Sequence, residues 1–167
     1  MWKKILLYGF AAVMGITSAA GLSAVFMITE VEGCAMEPAI KEDSTVLVNK
    51  LAFCTEAVEA PEVGSIVAFH CDVHSEDGEG SVLVRRVAAN SGDTVEIKDD
   101  VFYLNGQPYA EYMNEPAAME DMPARTLGKH EIFVLSDNRK SSMDSRNEAV
   151  GILDFRECIG KICFRYV

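Results

Sequence analysis

The chain has 167 residues, of which 49% are hydrophobic and 25% charged, and a formal net charge of −11 at pH 7. That length allows one membrane segment and one modest domain. The 15 basic residues include Lys3 and Lys4, so 13 remain beyond residue 29 against all 26 acidic ones; with no basic stripe to neutralise phosphates, the composition argues against a nucleic-acid role.

Residues 5–29, ILLYGFAAVMGITSAAGLSAVFMIT, hold no charge. A run of 25 residues is long enough to cross a bilayer of about 30 Å with some tilt. Lys3 and Lys4 precede it and Glu30 and Glu32 follow it. The positive-inside bias then places residues 1–4 in the cytoplasm and residues 30–167 outside, as an extracytoplasmic domain on a single-pass plasma-membrane anchor. Ser18-Ala19-Ala20 resembles a small-residue cleavage site and keeps a cleavable signal peptide open as the other reading. The apolar character continuing past Ala20 favours a retained anchor.

Gly33-Cys34-Ala35-Met36-Glu37-Pro38-Ala39-Ile40 follows closely. Pro38 excludes a central helix or central strand there. A strand is predicted over 44–50, a turn at 61–64 and a strand over 65–71. Residues 72–80 read as an acidic, glycine-rich loop. Strands are predicted over 82–88, 94–98 and 101–104, with Ser91-Gly92-Asp93 and Asp99-Asp100 as links. Asn105-Gly106 is the strongest hairpin signal in the chain. Residues 111–127, with Pro116 and Pro123, read as an irregular excursion. A strand over 130–135, a polar loop over 136–146 and a closing strand over 160–167 complete the domain. The fold class is therefore mainly β: an N-terminal transmembrane helix followed by a domain of short strands.

Cysteines stand at 34, 54, 71, 158 and 163. An odd number leaves at least one unpaired in a monomer, and the spacing selects no pairs. They do not group with His70, His74 or His130 at metal-ligand spacing, so no metal and no cofactor is expected.

Three patches carry the chemistry. The first is Gly33-Cys34-Ala35-Met36-Glu37-Pro38. The second is Val84-Arg85-Arg86-Val87 followed by Ser91-Gly92-Asp93-Thr94-Val95-Glu96. The third is Phe133-Val134-Leu135-Ser136-Asp137-Asn138-Arg139-Lys140-Ser141-Ser142-Met143-Asp144-Ser145-Arg146. In this order, behind an N-terminal anchor, they resemble the type I signal peptidases over nearly the whole chain. The resemblance implies a signal-peptidase-like β domain whose family uses a Ser–Lys dyad to remove signal peptides from exported preproteins at the outer membrane face. The family's nucleophilic serine falls on Ala35 and its general-base lysine on Arg85. Ser136 stands where the family has glycine.

A methyl group cannot attack a carbonyl. A guanidinium, with a pKa above about 12, cannot accept a serine's proton. The resemblance implies that Ser142 orients the base position, here Arg85, with Asp144 as the candidate partner of the Arg85 charge. It implies an Asp144–Arg146 pair and an Asp137–Arg86 pair as structural support. Met36, Pro38 and Val84 are expected against a bound peptide, which would lie as an extended strand beside the sheet edge. Cys34, adjacent to Ala35 in a segment taken as extended, is expected to point away from that groove.

Two functions remain open. One is a non-catalytic, membrane-anchored binder or chaperone of exported proteins. Signal-peptidase-like proteins with degraded dyads that assist pilus assembly make a pilin-like protein one such partner. The other is a signal peptidase in an inactivated or divergent form. A surface domain without a groove is the bland alternative, as is a polar network in 136–146 that only maintains the fold.

Overall fold

The structure, a computed structural model, describes residues 2–53, 60–71, 81–113, 115–141 and 143–166. Helix α1 spans Trp2–Val25. Its long apolar side chains, such as Leu6 and Phe10, are two-thirds exposed. Its apolar stretch, Lys4–Val25, makes it a candidate membrane span. The uncharged run of 5–29 is not one helix, however. Residues 26–29 leave it as part of β1, Phe26–Glu30, which pairs antiparallel with β2, Thr45–Asn49. Hydropathy cannot locate this boundary, because the strand is as apolar as the helix it continues.

The remaining strands are β3 (Ile66–Cys71), β4 (Ser81–Ala89), β5 (Thr94–Lys98), β6 (Val101–Leu104), β7 (Gln107–Pro108), β8 (Met122–Thr126), β9 (Glu131–Leu135), β10 (Leu153–Asp154) and β11 (Gly160–Tyr166). Among the described residues they form two sheets, ordered β1-β2-β11-β3-β4-β9-β10 and β7-β6-β5-β8. The expected strands over 44–50, 65–71, 82–88, 94–98, 101–104, 130–135 and 160–167 are all present, within two residues at each end. Asn105 and Gly106 have φ of 52° and 76° and close the β6–β7 hairpin. Both values are the left-handed ones a two-residue hairpin turn requires. Asp99 and Asp100, with φ of 51° and 63°, do the same between β5 and β6.

The excursion expected over 111–127 is corrected at its end, where Met122–Thr126 forms β8 on β5. Pro123 is tolerated because β8 is an edge strand and the pairing is irregular there; no ladder N–H is needed from it. The loop expected over 72–80 lies outside the described residues.

Side-chain parity builds the core. Val67, Phe69 and Cys71 of β3 join Ile132 and Val134 of β9 in one buried cluster with Phe155. The alternate residues of β9, Phe133 and Leu135, face the small sheet and pack with Val95, Ile97 and Phe102. Phe133 stacks on Phe102 at 5.5 Å between ring centroids. On that same side, nearer α1, Ala68 and Val84 meet Val46, Val48, Met36 and Ile40. The 33–40 segment is thereby pinned to the large sheet beside β4.

Candidate functional site

Residues 33–40 form turns, not an extended strand. Gly33 has φ +73°, and the Ile40 amide donates to the Met36 carbonyl at 2.8 Å. Glu37–Pro38 is a cis peptide. Val31 ties the approach to this segment, its amide donating to the Ser44 carbonyl and its carbonyl accepting from the Asp43 amide, each at 3.0 Å. Met36 and Ile40 are fully buried and act as its anchors.

The 136–146 loop grips the same turn. The Asn138 amide donates to the Ala35 carbonyl at 2.9 Å, and Asn138 Nδ2 to the Cys34 carbonyl at 3.3 Å. The loop is held by buried charge. Asp144 Oδ2 accepts from the Ser136 amide at 2.9 Å, and Arg146 takes both Asp144 oxygens at 2.7–2.8 Å. Arg146 also donates to the carbonyls of Arg139 and Ser141, and Arg139 to that of Ser136. Burial, and then the nearby Arg146 charge, pull the Arg139 pKa down, while Asp144 and Asp137 push back. Asp137 grips Arg86 with both oxygens, at 2.8 and 2.6 Å, and Tyr112 lies over that guanidinium at 4.1 Å. Such forked, charge-assisted pairs fix geometry as well as energy.

Strand β4 supplies the opposite wall. It pairs with β3 from Ser81 to Arg86, but β9 joins its other edge only from Arg86, opposite Leu135. Residues 81–85 therefore leave one backbone edge without a strand partner among the described residues. That edge faces a cavity of about 620 Å³ lined by residues 31–35 on one side and 81–85 on the other, with Asn138, Lys140, Ser141 and Met143 at the end.

Ala35 and Arg85 both border this cavity, so the structure brings together the two positions at which the resemblance expects the dyad. Arg85 is 4% exposed. Its Nε donates to the Met143 carbonyl at 2.6 Å and its Nη1 to the Val84 carbonyl at 2.7 Å. Burial lowers its pKa, and the charge of Asp144 opposes the shift. The expected Arg85–Asp144 partnership is corrected accordingly. Asp144 acts on Arg85 through its field, while its oxygens are occupied by Arg146 and the Ser136 amide. Ser142 lies outside the described residues.

Cys34 is corrected as well. The 33–40 segment is turned, so strand alternation does not apply, and Cys34 is exposed and lines the cavity beside Ala35. Of the expected peptide contacts, Val84 borders the cavity. Met36 is sealed in the core. Pro38 instead borders a smaller hollow of about 250 Å³ with Arg86, Tyr112 and Asp137. The residues that sequence reasoning missed are Asn138, the loop's clasp on the turn, and the free edge of 81–85. That edge arises because β3 and β9 pair with different stretches of β4, and no local pattern in β4 reports the offset.

Comparison with known proteins defines the class. Residues 2–167 match the family described as "Signal peptidase, peptidase S26". Signal peptidase IB of Staphylococcus aureus is 30% identical over 161 residues, covering 84% of this chain and 78% of that protein. Probable signal peptidase I-1 of Synechocystis sp. is 32% identical over 136 residues, covering 78% of this chain and 66% of that protein. A solved structure of a signal peptidase I from Enterococcus faecalis aligns with a TM-score of 0.48 at 25% identity, over 64% of this chain and all of that one. The chain belongs to the signal peptidase family.

Proposed function

We propose that this protein is a non-catalytic signal peptidase homologue that holds an extended segment of an exported protein against the free edge of β4. The apolar stretch of helix α1 anchors it, with residues 1–4 cytoplasmic and residues 30–167 outside. The observation that carries this reading is the shared cavity of Ala35 and Arg85. It offers neither a hydroxyl at the first position nor a proton acceptor at the second. What remains supports binding: an unpaired strand edge, a cavity alongside, and a polar loop held rigid by buried ion pairs. Strand addition needs only these. Pilin-like proteins are one class of exported partner that fits.

One observation favours a second reading, a divergent peptidase. The Cys34 thiol borders the cavity and lies 3.6 Å from Asn138 Nδ2. Cysteine is a nucleophile type, although a nearby base is still required.

Membrane crosslinking tests the holding function. A photoreactive residue replacing Val82, on the cavity wall, is expected to capture an exported protein bearing a signal peptide or pilin-like stem. The same probe replacing Glu96, on the small sheet, is expected not to. Equal capture of exported proteins from both positions would overturn the proposal.

A further inference from the structure

Arg85 carries a second, independent oddity. It is buried to 4% exposure, yet no carboxylate among the described residues lies in ion-pair contact with it. Its Nε and Nη1 are satisfied by carbonyls. Among the described residues Nη2 has no hydrogen-bond partner, and Arg85 borders the cavity. Asp144 acts on Arg85 only through its field, and a buried cation with no anion in contact is costly, so buried charges are normally paired directly. The nearest internal candidate, Asp144, is already taken by Arg146. Among the described residues, room for such an anion lies on the cavity side.

The sheet geometry narrows what that anion is. A chain added to the open edge can run along residues 81–85 but meets β9 at Arg86, where Leu135 occupies the edge. If it runs parallel to β4, its carboxyl end arrives at Arg85. There it must stop or turn away. Lys140 at the cavity end adds a second cation, although it is exposed and paired with Glu115 at 2.6 Å.

Building on the proposed holding function, we infer that the cavity is a carboxylate-binding site in which Arg85 receives a peptide carboxylate at the end of the strand added to β4. The carboxylate belongs either to the C-terminus of the bound chain or to an Asp or Glu side chain where it turns away. Where a general base would activate a nucleophile, a fixed guanidinium instead holds an anion; its planar fork suits a carboxylate better than an ammonium does.

The test uses the full-length protein in detergent and fluorescent extended peptides of small apolar residues in three forms: free acid, C-terminal amide, and amide with a terminal-region Asp. The free acid or the Asp form is expected to bind at least about tenfold more tightly than the plain amide. Which of the two does so identifies the source of the carboxylate. In Arg85→Gln the preference is expected to vanish, and in Arg85→Lys to shrink, with circular dichroism confirming that both variants are folded. Equal binding of all three forms would overturn the carboxylate site and leave strand holding intact. A small ligand separates the reverse case. N-acetylalanine, but not its amide, is expected to raise the Tm of the unaltered protein and not of Arg85→Gln. If it does so while no peptide binds, the carboxylate site stands and strand holding fails; if neither binds, both fail.

Discussion

Arg86 on β4 and Asp137 at the head of the 136–146 loop form a two-pronged ion pair, Nε to Oδ1 at 2.8 Å and Nη2 to Oδ2 at 2.6 Å, with Asp137 only 1% exposed. This pair joins the loop to the strand that carries Arg85. Removing the cation alone strands a buried carboxylate. Arg86→Met is therefore expected to cost about 3–5 kcal/mol in denaturant unfolding. Arg86→Met with Asp137→Leu is expected to recover most of that loss, because an apolar pair of similar volume has no charge to solvate. A double variant as unstable as the single would contradict the pair's structural role.

Ser136 offers the opposite case. Its hydroxyl is fully buried with no hydrogen-bond partner among the described residues, at the position where the family resemblance expects glycine. An unsatisfied buried polar group costs about 1–3 kcal/mol. Ser136→Ala is accordingly expected to raise stability by about 1 kcal/mol, read as a higher denaturant midpoint at unchanged slope. The Ser136 amide, which serves Asp144, is untouched by that change.

The four described thiols divide by burial, Cys54 lying outside the described residues. Cys34 and Cys163 are exposed, and Cys71 and Cys158 are buried. Burial, reinforced by the charges of Asp154 and Glu157, pushes the Cys158 thiol up to about 12. Alkylation of the folded protein at pH 8 is expected to mark Cys34 and Cys163 and to spare Cys71 and Cys158, as mapped by mass spectrometry. The sign of the pH effect follows. Above its ordinary value near 9 the unfolded thiol loses its proton, while the folded one keeps it until about 12. The unfolded state then binds fewer protons, so stability falls as pH rises through that window. Cys158→Ala is expected to lose less stability than the unaltered protein between pH 8 and pH 10.

Much of the fold could be read locally, and the failures share a cause. Asn105-Gly106 and Asp99-Asp100 sit at positive φ and close hairpins, which short-range turn chemistry reports directly. Residues 122–126 were hidden because Pro123 reads as a strand breaker, and only the edge position and irregular pairing of β8 excuse it. The end of α1 was hidden because β1 is equally apolar. At the site, the proposed loss of the dyad rests on the residue types at 35 and 85, which the sequence shows directly, and the Arg86–Asp137 and Asp144–Arg146 pairs formed as the resemblance implied. The side on which Cys34 lies and the partner of Arg85 were not legible. Both depend on how the turn at 33–40 and the 136–146 loop meet, which is tertiary information.

Cleavage of a preprotein at neutral pH by the purified full-length protein in detergent tests the proposed loss of catalysis most directly. No product is expected from the unaltered protein, from Ala35→Ser or from Arg85→Lys, since each lacks the nucleophile, the base or both. Product is expected from the double variant, in which hydroxyl and amine again border one cavity. Cleavage by the unaltered protein that disappears in Cys34→Ala would contradict the central claim and establish a thiol peptidase in its place.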